Sequence, residues 1–140
     1  MVDFERVFNR SYQRVLRGRT SRGNEFFDVF YDKFIEASPL VAQKFARVDL
    51  VAQRTMLKQS FAYLLNLYVT KRIPDHLIEI ARVHDHHHAD IPSELYDLWL
   101  DCLIVTVREF DPEFDADVEL SWRMICAPGI TFMRFRHGKR

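Results

Sequence analysis

A histidine-rich segment contains the residues whose types point most directly to chemistry. His84 follows the run Ile80-Ala81-Arg82-Val83, and residues 86–88 are all histidine. His84 lies four residues after Ile80, so the two share the apolar face of a predicted helix. An imidazole held on such a face can act as a metal ligand, and in particular as the axial ligand of an iron porphyrin.

Two other interpretations of this segment remain open from the residues alone. Histidines crowded at a loop end commonly form a polar surface turn, and this is what we expect of His86 and His87. His84 and His88 are also spaced four residues apart, which could hold Zn or Ni. The sequence offers no distant second pair of ligands for such a site.

Composition limits the classes of protein that the chain can belong to. Its 140 residues fit one domain with a proper core, and they include twelve Phe. Aromatic residues at 14% could fill an ordinary core or line a pocket for a large flat apolar ligand. Lys plus Arg equals Asp plus Glu at 20 each, so nothing suggests attraction to nucleic acid.

Cysteine usage and hydropathy predict a cytoplasmic protein without a membrane partner. Cys102 and Cys126 lie far apart in apolar helical stretches and form no CxxC or CxxCH motif. We therefore expect two buried reduced thiols and no covalent haem attachment. There is no signal-peptide pattern, and no apolar run reaches the ~18 residues that span a bilayer.

Apolar spacings of three and four recur along the whole chain and predict an all-α fold without strands. About seven or eight helices of mixed length are expected, one of them very short, unlike the even lengths of a four-helix bundle. The predicted ranges are 3–16, 24–37 with Asn24 as cap, 39–45 beginning at Pro39, 49–68 capped by Asp49, a helix from Pro74 through His84, 92–110, and 115–135 kinked at Pro128, before a basic tail from about Arg134.

The order of these features resembles the globin family. An aromatic helix ends at Ser38-Pro39, a short turn leads to Phe45, a long helix carries Gln53, and His84 follows after the next break. The resemblance covers nearly the whole chain, and it is nearest to bacterial single-domain globins and the haem domain of flavohaemoglobins. It implies one globin-like domain over residues 1–140, with about seven to eight helices around a haem pocket.

The resemblance also implies roles for residues on the ligand-binding side. Phe45 is similar to the phenylalanine that stacks on the haem, and Tyr31 is similar to the helix-B tyrosine that donates a hydrogen bond to bound ligand. Gln53 is similar to the distal glutamine, with Leu57 one turn further along the pocket wall. From the residues alone, Tyr31 also fits a core aromatic, and Gln53 also fits a solvated side chain near a helix start.

On the proximal side, His84 is similar to the histidine that binds iron through Nε2. We expect its Nδ1 to donate to the backbone carbonyl of Ile80 or to a nearby side chain. Tyr96 is similar to a tyrosine that joins a network with a glutamate on the last helix, but no glutamate stands at the matching end here. The spacing from His84 to Tyr96 is longer than in the family, which leaves His86 open as the ligand.

Further haem contacts are expected from residues on either side of this segment. His88 is similar to a histidine that pairs with a haem propionate, and Leu98 is expected to touch the porphyrin. Met56 is close enough to be considered as a second axial ligand, but we interpret it as packing. Other candidates for porphyrin contact are Cys102, Ile104, Val105, Met124 and Phe132.

The implied function is a b-type haem protein (iron protoporphyrin IX) that binds O2, NO or CO for transport, sensing or NO/O2 chemistry. Turnover as an NO dioxygenase or peroxidase would need a separate reductase, because the chain has no room for a flavin or nicotinamide domain. A signalling partner is equally compatible. The alternative is a haem-free globin-like sensory or protein-interaction module, against which the presence of His84 argues.

Overall fold

The computed structural model describes residues 2–84 and 91–137, and this part of the chain forms seven α-helices and no strand. The all-α prediction is therefore confirmed. The third helix is the very short one that the sequence predicts. The helices are α1 (Phe4–Arg17), α2 (Phe26–Ala37), α3 (Pro39–Phe45), α4 (Leu50–Thr70), α5 (Asp75–His84), α6 (Ser93–Phe110) and α7 (Ala116–His137).

Three helix ends differ from the prediction. Asn24 does not cap α2, because its amide and carbonyl are hydrogen-bonded to Thr20 in the preceding turn, and Glu25 takes the cap position without a side-chain bond. Helix α4 continues to Thr70 and ends where Lys71 adopts a left-handed φ of 60°. Helix α7 runs through Pro128 to His137, so Arg134 is helical and does not lie in a tail.

The core is centred on Trp122 of α7, which is fully buried. Its ring contacts Phe8 of α1 at 4.8 Å, Phe61 of α4 at 5.6 Å and Phe26 of α2 at 6.0 Å between centroids. Aromatic pairs at these separations add to the stabilisation from area burial, by about 0.5–1.5 kcal/mol each. This cluster therefore joins four helices, namely α1, α2, α4 and α7.

A buried polar network also connects α1 to Asp111, which follows α6, and to Trp122 of α7. The Asp111 carboxylate, only 2% exposed, accepts hydrogen bonds from Arg14 Nε at 2.6 Å and Ser11 Oγ at 2.6 Å. Ser11 Oγ in turn accepts from Trp122 Nε1 at 2.8 Å. All four groups are satisfied, which is the condition under which a buried polar network specifies one packing.

The approach of α4 to α7 depends on a glycine. A Cβ added at Gly129 would collide with the side chain of Leu64. Glycine therefore lets the two helices approach closely beside the cavity described below.

Both cysteines are free and buried, as predicted. Burial raises the pKa of the Cys126 thiol to about 12, so that thiol stays protonated. Over residues 2–84 and 91–137, no helix combines the length and apolar character that crossing a bilayer requires.

Candidate functional site

One apolar cavity is lined by residues from α2 through α7. The volume of the cavity is about 150 Å³. The structure brings six of the predicted site residues to this one cavity, namely Tyr31, Phe45, Gln53, Leu57, His84 and Tyr96. Apolar side chains form most of the remaining wall, among them Phe34, Val41, Leu64, Leu77, Leu95, Trp99 and Ile130.

The corner between α2 and α3 positions Phe45. Ser38 Oγ accepts hydrogen bonds from the amides of Leu40 at 3.2 Å and Val41 at 3.4 Å, which fixes the start of α3. The Phe45 ring then lies 5.8 Å from Tyr31 and 6.0 Å from Phe34 between centroids. A half-buried aromatic ring is thus held against two buried ones at the wall of the cavity.

Tyr31 presents a neutral phenol inside the cavity. The residue is 3% exposed, and its hydroxyl donates to the backbone carbonyl of Gln53 at 3.4 Å. Burial raises the pKa of Tyr31, and the interaction with Gln53 opposes this shift only in part. The hydroxyl therefore keeps its proton and remains a hydrogen-bond donor.

The cap of α4 determines where Gln53 lies. Asp49 Oδ1 accepts hydrogen bonds from the amides of Val51 at 3.0 Å and Ala52 at 3.4 Å, so Gln53 lies in the first turn. Leu57, one turn further on, lines the same cavity, and so does Met56. Ser60 lines it too, but its hydroxyl donates to the carbonyl of Met56 at 2.8 Å.

His84 lies at the end of α5 on the face that carries the buried residues Leu77 and Ala81. Burial lowers the pKa of the imidazole, so the ring is neutral at pH 7. The expected hydrogen bond from Nδ1 to Ile80 is absent, and no described residue is a partner of this buried atom. The carbonyl of Ile80 is the helical acceptor for the amide of His84 itself, whereas the ring faces the cavity.

Tyr96 of α6 is close to Arg134 of α7 at one edge of the cavity. Burial raises the pKa of Tyr96 to about 12, and the positive charge of Arg134 works in the opposite direction. Arg134 Nη2 donates to the carbonyl of Ser93 at 3.3 Å and pairs with the carboxylate of Asp97. Local sequence patterns do not indicate a role for this arginine, because its contacts join residues about forty positions apart.

The prediction for Leu98 differs from the structure. Leu98 packs against the core outside the cavity, and Leu95 and Trp99 provide the wall on either side of Tyr96. These two are four residues apart and share a helix face, a signal that was available in the sequence. Of the other candidates for porphyrin contact, none lines the cavity: Cys102, Ile104, Val105, Met124 and Phe132.

The histidines after His84 lie outside the described residues, so the predictions for His86, His87 and His88 and for a Zn or Ni site there stay predictions. The described residues resume at Ile91, whose amide donates to the carbonyl of His84 at 3.2 Å. Within the described ranges, no three His, Cys, Asp or Glu residues form a group that could hold a metal ion. A haem iron needs only one protein ligand.

No protein-family model and no curated protein matches the chain. Among solved structures, the chain is similar to a Pseudomonas aeruginosa PAO1 protein whose crystal structure is described as structurally highly homologous to a human hemoglobin. The two share 31% sequence identity over 98% of this chain and 100% of the other, with a TM-score of 0.88.

Proposed function

This chain belongs to the globin family, and from that premise we propose that it binds haem b without a covalent bond and, through the iron, reversibly binds O2, NO or CO. The observation that carries the proposal is the apolar cavity between α2 and α7. It combines a half-buried neutral imidazole from α5 with a phenol and an amide from α2 and α4. We further propose that its nearest functional relatives are bacterial single-domain globins, and that it acts in the cytoplasm.

The residues present fit a haem group. A flat apolar macrocycle needs aromatic and aliphatic walls, which Phe45, Trp99 and Leu57 supply. The iron needs a neutral imidazole, and burial keeps His84 in that state. Bound haem would supply an iron atom with a coordination position open to a diatomic gas. His84 would hold that iron through Nε2, and Phe45 would fix the plane of the ring.

Tyr31 and Gln53 would act on the bound gas. The hydrogen bond from Tyr31 to the Gln53 carbonyl is 3.4 Å long, which is beyond the usual range and weak. Redirecting the hydroxyl toward a ligand oxygen with partial negative charge therefore costs little. In a dry pocket this donor would slow the loss of the ligand, and the Gln53 amide would be a second donor.

We expect Tyr31→Phe to speed the dissociation of O2 more than tenfold. The variant removes a hydrogen bond with charge character, worth roughly 1.5–3 kcal/mol, and keeps the ring. The measurement is stopped-flow displacement of O2 by CO. Tyr63→Phe is the control, because Tyr63 stacks on His76 outside the cavity. An O2 dissociation rate equal to that of the parent would remove Tyr31 from this role.

Titration of the purified protein with hemin tests the proposed function directly. A Soret band that saturates at one haem per chain supports it. No Soret band would favour the alternative, a haem-free sensory or protein-interaction module. Steady-state consumption of NO, with and without an added reductase, then separates ligand binding from dioxygenase turnover, which needs returned electrons.

A further inference from the structure

Three buried polar atoms have no hydrogen-bond partner in the part of the chain that the structure describes. Two belong to residues that line the cavity, and the third belongs to Arg134, one turn after the lining residue Ile130. The three atoms are His84 Nδ1, Tyr96 Oη and Arg134 Nε. Burying such an atom without a partner is destabilising, because its hydration is lost and nothing replaces it. Native proteins contain few of them, so a group of three calls for a functional reason.

The position of Arg134 places its charge at the rim of the cavity. Ile130, one turn earlier on α7, and Met133 both line the cavity. The guanidinium is held at the start of α6 by the Ser93 carbonyl and the Asp97 carboxylate. Asp97 is mostly solvated, with 71% of its side chain exposed, whereas Arg134 is 35% exposed. The cation therefore acts on the cavity more strongly than its anionic partner does.

The three unpartnered atoms are complementary in hydrogen bonding. His84 Nδ1 carries a hydrogen when Nε2 binds a metal, and Arg134 Nε always carries one. Neither donor bonds directly to the Tyr96 oxygen in the structure, but its two lone pairs can accept from both through bridging water. A histidine that binds a metal usually donates its second N–H to an acceptor, and a carboxylate in that place raises the basicity of the ring.

We propose that Arg134 positions the Tyr96 hydroxyl as a neutral acceptor for the Nδ1 hydrogen of His84, and so keeps an anionic acceptor away from the imidazole that holds the iron. This inference rests on the proposed function. A neutral acceptor beside a cation leaves the imidazole a weak electron donor. The ferrous state is then favoured, which suits reversible gas binding rather than cleavage of an O–O bond.

The test compares the reduction of haem-loaded Arg134→Gln and Arg123→Gln by spectroelectrochemistry. Arg123 is also on α7 and pairs with Glu119 and Asp101, so both variants lose one positive charge. We expect Arg134→Gln to lower the equilibrium constant for reduction of the iron about tenfold. This corresponds to a reduction potential about 59 mV lower for one electron. Arg123→Gln is expected to change it less than twofold.

Asp97→Asn separates an electrostatic role from a structural one. Both Arg134→Gln and Asp97→Asn break the same ion pair. Loss of that pair as a structural element would move the reduction equilibrium in one direction for both variants. We expect opposite directions instead, because Asp97→Asn keeps the cation and removes its counter-charge. Asp97 is also exposed, so this variant tests the inference even where Arg134→Gln does not fold.

Two further measurements test whether Arg134 affects the iron through Tyr96. In a Tyr96→Phe background, Arg134→Gln is expected to shift the reduction equilibrium by less than half as much, and Tyr96→Phe alone should move the iron–histidine stretching band in the Raman spectrum. If Arg134→Gln and Arg123→Gln both bind haem and have equal reduction potentials, this inference is wrong and the proposed function still stands. Failure of the parent to bind haem would overturn the proposed function and this inference with it.

Discussion

Replacing His84 with glycine is expected to lower the affinity for haem more than about 100-fold, since loss of an outer-shell partner alone costs 10–100-fold. His84 is the one histidine among the described residues that lines the cavity, and its ring is neutral. The variant should show a weak or shifted Soret band on hemin titration. Added imidazole should restore the parent band, because glycine leaves room for it where the side chain was.

The matched control is His76→Gly on the same helix, where the ring stacks on Tyr63 at 4.4 Å outside the cavity. This variant makes the same change from histidine to glycine at the other end of α5 and should bind haem like the parent. Retention of haem with unchanged bands in His84→Gly would assign the iron to His86 or to a later residue.

The elements that carry the site could be predicted because their signals are local. Pro39 as the start of α3 and Asp49 as the cap of α4 can be predicted from residue type, and the structure confirms both. These two helix starts determine the positions of Phe45 and Gln53. The α5 face could likewise be predicted, because Leu77, Ala81 and His84 follow helical spacing.

The rotation of the later helices could not be predicted in the same way. Helices α6 and α7 are apolar on more than one face, so periodicity does not say which residues face the cavity and which face the core. For this reason the sequence predicts Leu98 as a haem contact, whereas Leu95 and Trp99 line the wall. The contacts of Arg134 with Ser93 and Asp97 depend on the packing of two helices distant in sequence, and no local pattern encodes them.

Removal of the cation from the buried Asp111 network is expected to have the largest effect on stability. Arg14→Met should lower the free energy of unfolding by about 3 kcal/mol or more, because it leaves a buried carboxylate without its positive partner. Asp111 would keep the hydrogen bond from Ser11 Oγ but lose those from Arg14 Nε and Nη2 at 2.6 and 2.9 Å. Urea denaturation at pH 7 measures the difference.

The pH dependence of that difference identifies its cause. Burial alone would raise the pKa of Asp111, but hydrogen bonds from Arg14, Ser11 and the Glu113 amide outweigh it and hold the pKa below its usual value. The parent therefore has this stabilisation in full above the unfolded pKa of about 3.9, and loses it as the pH falls through the folded pKa. In Arg14→Met, burial raises the pKa of Asp111, so protonation relieves the buried charge at a higher pH.

The difference in the free energy of unfolding between parent and variant should therefore narrow as the pH falls toward 4. A difference that stays constant would assign the loss to packing of the Arg14 side chain. Arg17→Met, an exposed arginine in the last turn of the same helix, should show neither the loss nor the pH dependence.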